Sequence, residues 1–265
     1  MYNKLSTQII GTARNFVKEH HSSKNWIIRL GISFAFCLRT TFRTLVRIYK
    51  DKDYRAIVTM LFLNKKNVHQ TNSLTFMDRY PTIFKACKDY FNHKTDLKIL
   101  SYGCSTGEEV LTLRKYFPTG HIIGAEINKN SLAICKKLNV DENITFIYST
   151  PKEIEKYGTF DAIFCMAVLQ RKPHYIASKG ITNLKKIYPF EKFEEQIIEL
   201  DKLIKPGGLL IVHYTQYTLK DTKVTHKYKA LEINNQKDYL SPVFDKYSNL
   251  IKDPIPQHSI FIKQH

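Results

Sequence analysis

From residue 97 onward the chain alternates between short apolar, β-branched runs and longer mixed stretches. LKILSY (97–102), HIIGAEI (121–127), ITFIYS (144–149), FDAIFCMAV (160–168) and LLIVHYT (209–215) read as buried strands. The segments 107–117, 129–138, 151–157 and 191–204 between them are long enough for helices. Strands alternating with helices imply right-handed crossovers and a mostly parallel sheet covered on both faces, a doubly wound α/β fold. Pro206-Gly207-Gly208 reads as a turn feeding the fifth strand, and SIFIK (259–263) as a last strand at an edge, with no pairing that the sequence reveals.

The pattern upstream is different. Residues 26–50 place Leu38, Phe42, Leu45 and Tyr49 on one face of a helix and Arg39, Arg43, Arg47 and Lys50 on the opposite one. Between Arg29 and Arg39 only LGISFAFCL is uninterrupted, far short of the roughly 20 residues that a bilayer span requires. Such a helix suits an anionic membrane surface or an acidic partner, or packs on its own domain with a solvated arginine face. The organisation expected is a basic helical region over 1–70 followed by an α/β domain over 71–265.

Charge sharpens that division. The net charge is +17, and residues 1–95 hold 17 Lys+Arg against 5 Asp+Glu. The first third therefore meets something acidic or is a well-solvated surface. At 265 residues and 43% hydrophobic, the chain can bury a substantial core. Five cysteines without a CxxC pair suggest neither a disulfide framework nor a zinc site, so no metal is expected. The N-terminus lacks the apolar core of a secretory signal, which points to a cytoplasmic protein, with the basic helix as its candidate contact to a membrane surface.

The candidate chemistry lies in SYGCSTGEE (101–109), at the carboxyl end of the first strand, where open α/β sheets bind ligands. Gly103 and Gly107 permit a tight turn and close ligand approach. Glu126 ends the second strand, 23 residues after Gly103, where a carboxylate can accept from both hydroxyls of a ribose. A dinucleotide fingerprint is missing, since its three glycine positions hold Gly103, Ser105 and Glu108. No GK[ST] follows to make a P-loop. An acidic turn suits a cationic nucleoside with an amino group and a sulfonium, which S-adenosylmethionine has.

ILSYGCSTGEEVLTL, the following GAEI, and LIKPGGLLIV near the fifth strand resemble the class I S-adenosylmethionine-dependent methyltransferases over roughly residues 75–215, which implies a Rossmann-like fold. GCSTGEE is most similar to the chemotaxis-receptor protein-glutamate methyltransferases, as are Thr75-x-x-x-Arg79-x-Pro81-x-x-Phe84 and FDAIFC (160–165). The resemblance implies that Gly103, Cys104, Ser105 and Gly107 line the methionine and ribose side of the cofactor, with Glu108 at the amino-acid end. It puts Glu126 at the ribose, Arg79 and Thr75 at the carboxylate, and Ser149 and Thr150 near the adenine, with Ile127 and Ala167 as further cofactor-binding positions. Departures occur at MAVLQRKPHY after the fourth strand, at Met77-Asp78, and at HYTQY after the fifth. The acceptor is therefore left open.

If the acceptor needs a base, His174, Tyr175, His213 and Tyr214 lie near the ends of the fourth and fifth strands; the tyrosines read equally as wall residues, and a lone histidine is more often structural or solvent-facing. Residues 170–193 mix Arg171, Lys172, Lys179, Lys185, Lys186 and Lys192 with aromatics, suiting an anionic or nucleobase-bearing acceptor or a plain solvated surface. Three readings follow: methylation of a small-molecule, lipid or glycan acceptor; protein-glutamate methylation; and a non-catalytic S-adenosylmethionine-binding module. Nucleic acid is disfavoured, because no Asn/Asp-Pro-Pro-Tyr run follows the fourth strand.

Overall fold

A computed structural model describes residues 25–264 apart from 93 and 234–240. The chain divides into two compact units, with the boundary after Arg55. In the first, helix α1 (Trp26–Lys50) starts at Asn25, whose side chain accepts from Ile27 N–H, and ends in the basic Arg47 and Lys50, which complement the helix dipole. No residue of α1 is buried. Helix α2 (Lys52–Leu63) follows at once, capped by Asp51 Oδ1, which accepts from Tyr54 N–H at 2.9 Å. Among the described residues no helix is long and apolar enough to cross a membrane.

The second unit is the doubly wound domain. Helix α3 (Pro81–Phe91) leads into β1 (Lys98–Tyr102), α4 (Glu108–Tyr116), β2 (His121–Glu126), α5 (Lys129–Cys135), β3 (Ile144–Tyr148), α6 (Pro151–Glu155) and β4 (Phe160–Met166). After these come α7 (Pro173–Ser178), α8 (Phe190–Leu203), β5 (Ile204–His213), β6 (Tyr228–Leu231) and β7 (Ile260–Lys263). Seven strands pair in the order β3-β2-β1-β4-β5-β7-β6; β1 to β5 are parallel, and β7 runs antiparallel to both its neighbours. This is the mostly parallel sheet expected from the alternation, and the Rossmann-like fold that the resemblance implies.

Period-2 burial explains why both faces are covered. In β4, Ile163 and Cys165 enter one apolar cluster with Phe193, Ile197 and Leu200 of α8, while Ala162, Phe164 and Met166 enter the other with Ile83, Phe84, Val110 and Leu113 of α3 and α4. Two buried aspartates fasten the frame. Asp161 accepts from Lys94, Lys205 and the backbone of Lys98, tying β4 to the start of β1 and to β5. Asp201 on α8 accepts from Lys227 at 2.7 Å and from Tyr228 at 2.9 Å, and pairs with Lys263 at 3.1 Å, so the helix holds β6 and β7.

Two expectations are corrected. Pro206-Gly207-Gly208 lies inside β5 as an irregularity: Phe160 pairs with Ile204, then Ala162 with Leu209, so the extra residues bulge out of the ladder. The SIFIK strand is interior, between β5 and β6, because β6 covers what would have been its open edge. That covering strand is only YKAL, too short to register as a period-2 run.

Candidate functional site

A cavity opens over the carboxyl ends of β1 to β4. Its floor is Tyr102 to Ser105, Glu126 to Asn128, Ser149 and Met166 to Val168; α4 adds Glu109 and Thr112, and residues 69–76 with Arg79 and Tyr80 form a further wall. The turn after β1 is shaped by three left-handed residues, Gly103 (φ +81°), Ser105 (φ +52°) and Gly107 (φ +104°). Gly103 N–H and Cys104 N–H both donate to Ala125 O, at 2.8 and 3.2 Å, and lock the turn against β2.

Glu126 is buried and held from both sides. Ser105 N–H donates to Oε2 at 2.8 Å and Asn128 N–H to Oε1 at 2.6 Å. The carboxylate is thus fixed at the cavity floor by the backbone at the end of its own strand and of the neighbouring one. Ser105 Oγ donates to Ser73 O at 2.8 Å, joining the turn to the overlying segment. Arg79 donates to Leu74 O at 2.9 Å, and its guanidinium lies within 5.1 to 5.9 Å of the rings of Phe76, Tyr80 and Tyr214.

Glu109 lines the cavity and accepts from Ser101 Oγ at 2.7 Å. Burial pushes its carboxyl up to about 7, against the opposing pull of Ser101 and Arg79. Behind the floor a polar chain crosses the core: Tyr102 OH donates to Gln196 Oε1 at 2.9 Å, His69 Nε2 meets the same oxygen at 3.2 Å, and His69 Nδ1 meets Tyr188 OH at 2.8 Å. Burial, with Lys192 and Arg171 nearby, lowers His69 to about 3. The ring is neutral at physiological pH, with both nitrogens engaged.

Of the residues singled out in the sequence, Thr75, Arg79, Gly103, Cys104, Ser105, Glu126, Ile127, Ser149 and Ala167 line this cavity. Gly107, Glu108 and Thr150 lie off it. Gly107 caps α4, Glu108 accepts from Thr106 Oγ1 at 2.6 Å, and Thr150 caps α6. The glutamate on the cavity is Glu109, one position along. His174, Tyr175, His213 and Tyr214 do not line it either: the first two are on α7. His213 is buried against Ser259 Oγ at 2.7 Å, and burial, with Arg79 nearby, lowers it to about 4. The rings of His213 and Tyr214 pack on Tyr80, one layer behind the wall. His69, Asn128 and the 69–74 segment were not legible as site residues, because no local pattern says that the chain before α3 folds over the strand ends. Among the described residues no group of three or more His, Cys, Asp or Glu is arranged to hold a metal.

Residues 93–248, more than half of the chain, match the family described as methyltransferase domain. The chain belongs to that family. It is similar to an uncharacterized protein of Rickettsia prowazekii, 23% identical over 191 residues, which are 66% of this chain and 69% of that one. It is also similar to the malonyl-[acyl-carrier protein] O-methyltransferase of Bacillus cereus, 26% identical over 101 residues, 35% of this chain and 38% of that protein. Among solved structures, an amino pentose methyltransferase from Micromonospora echinaspora with S-adenosylmethionine bound is 15% identical, covering 62% of this chain and 60% of that one, TM-score 0.39. The plantazolicin methyltransferase in complex with a pentazolic desmethylPZN analogue and S-adenosylhomocysteine is 16% identical, covering 62% and 54%, TM-score 0.37. The chain thus spans little more than half the length of these solved methyltransferases.

Proposed function

We propose that the chain is an S-adenosylmethionine-dependent methyltransferase whose cofactor lies over the Gly103 turn, with its ribose on Glu126, and whose acceptor is an anionic small molecule, lipid or glycan. The observation that carries the reading is the fixed Glu126 carboxylate beside the left-handed Gly103, with Glu109 and Arg79 on the same cavity. This donor set fits the cofactor's charges: two carboxylates for a ligand with a sulfonium, an ammonium and a ribose, and a guanidinium for its carboxylate. Gly103 is required at this turn by the protein itself, since at φ +81° a Cβ there would meet Val168 Cγ2 at 2.5 Å.

The sulfonium of the bound cofactor is an activated methyl donor, so the protein chiefly binds, aligns and excludes water. Thr75, Arg79 and Tyr80 overlie the turn, and the bond from Ser105 to Ser73 holds that cover closed. His69, neutral and engaged on both nitrogens, orders the floor through Gln196 and Tyr102. The anionic acceptor is suggested by the cationic 170–193 segment, in which Lys185 and Lys186 are exposed.

The test is transfer of labelled methyl from S-adenosylmethionine to fractionated small-molecule, lipid and glycan pools, with Gly103→Ala as the inactive control. Loss of turnover in Lys185→Gln/Lys186→Gln would support an anionic acceptor; unchanged turnover would remove it. Protein-glutamate methylation is the second reading, favoured by Thr75 and Arg79 on the cavity. Label released from protein by mild base would select it. Cofactor binding without label in any pool would leave a non-catalytic binding module.

A further inference from the structure

Helix α1 presents a broad apolar surface with a cationic back. On a wheel of 3.6 residues per turn, Trp26, Leu30, Phe34, Leu38, Phe42 and Leu45 fall within an arc of roughly 160°. Each is more than half exposed, from 55% at Leu38 to 69% at Trp26. Arg29, Arg39, Arg43, Arg47 and Lys50 fall within an arc of roughly 80° on the other side, and the helix contains no acidic residue. An exposed apolar patch of this extent, backed by a single sign of charge, marks an interaction surface.

We infer that α1 lies flat on a bilayer containing anionic phospholipid, with the tryptophan arc in the headgroup and acyl boundary. Two features choose this occupant. A helix-to-helix seam uses a narrow apolar stripe, whereas this arc is far wider and suits a planar surface. An acidic protein would satisfy the cations and leave the apolar arc in water; a bilayer with anionic headgroups meets both, because arginine stems reach back from the polar side to the phosphates. At 25 residues the helix extends roughly 37 Å along the surface. Two aromatic residues, Trp26 and Tyr49, stand near its ends, and such side chains favour headgroup depth. The inference stands apart from the methyltransferase reading, since vesicle binding does not require cofactor.

Trp26 is the only tryptophan of the chain, so intrinsic fluorescence reads its environment directly. The experiment adds phosphatidylcholine vesicles with and without phosphatidylglycerol to the full chain. The expected result is a blue shift and co-sedimentation with the anionic vesicles, weaker by on the order of tenfold or more on neutral vesicles or at high salt. Phe34→Ser/Phe42→Ser should abolish the shift, and Arg39→Gln/Arg43→Gln/Arg47→Gln should require more anionic lipid for it. Quenching of Trp26 by brominated lipids tests insertion in the unsubstituted chain, should either variant fold poorly. Unchanged emission with anionic vesicles overturns the inference. So does a blue shift without lipid that tracks a doubling of mass, which would assign the face to a second copy. A response to polyglutamate with none to vesicles overturns it too, in favour of an acidic protein.

Discussion

Gly103→Ala separates the role of the turn in folding from its role in binding. Gly103 sits at φ +81°, and a left-handed conformation costs a non-glycine residue about 1–2 kcal/mol. Its new Cβ would lie 2.5 Å from Cγ2 of Val168, a stiff β-branched side chain that cannot swing aside. Relieving such an overlap typically costs about 1–3 kcal/mol. The sum, roughly 2–5 kcal/mol, lowers the melting temperature by on the order of 10 °C in a domain of this size. Because the same Cβ stands at the cavity floor, stabilisation by S-adenosylhomocysteine should vanish as well. Two companions isolate the terms. Gly158→Ala, at φ +71° with nothing within 4 Å, should show only the backbone cost. Gly107→Ala would meet Leu138 Cδ1, the end of a flexible side chain away from the cavity, and should lose stability while keeping the ligand response. Differential scanning fluorimetry with and without ligand reads all three. A Gly103→Ala protein with wild-type melting and a wild-type ligand shift would refute the reasoning.

Other consequences follow from the charges. Glu109, at about 7, must ionise to attract a cationic ligand, so affinity for S-adenosylmethionine should rise as the pH passes upward through 7, by at most about tenfold per unit, and Glu109→Gln should flatten the profile in calorimetry. Asp201 is held below the usual carboxylate range: burial alone would raise it, but Lys227, Lys263 and Tyr228 overcome that. Its contribution is present above the unfolded value near 4 and lost as the pH falls through the lower folded value. Asp201→Asn should therefore cost about 3 kcal/mol at pH 7 by urea unfolding, a deficit that shrinks in acid. His213 is lowered to about 4, so the stability of its neutral form is complete above 6.5 and drains away as the pH falls toward 4. The loss reaches about 3 kcal/mol, and His213→Asn should make the unfolding free energy less steep over that interval.

The sheet was legible because each of its parallel strands is a solid apolar run: both faces are covered, and the boundaries differ from expectation by only a residue or two, except where β5 absorbs its proline and glycines. β6 was not, since four residues, three half-buried and one exposed, carry no periodic signal and owe their place to β7 and Asp201. At the site, Gly103, Ser105 and Glu126 could be found because backbone geometry and strand-end position constrain them locally. Glu108 against Glu109 could not be decided from a doublet, since one residue is 100° of helix and only the fold sets which one faces the cavity. The cover from His69 to Phe76 depends on contacts to residues more than 30 positions away, such as Ser73 to Ser105, which no local pattern encodes.

The central claim is that the cavity over β1 and β2 holds S-adenosylmethionine through Glu126. It is tested most directly by thermal unfolding of wild type and Glu126→Ala with S-adenosylmethionine, S-adenosylhomocysteine and NAD. The substitution removes the acceptor of two backbone N–H groups and will lower the baseline, so the informative quantity is the ligand-induced shift within each protein. At 100 times the dissociation constant, about 2.7 kcal/mol of stabilisation is expected in wild type for the two adenosyl ligands, none for NAD, and none of it in Glu126→Ala. An NAD response, or an adenosyl response that survives in the mutant, would contradict the account.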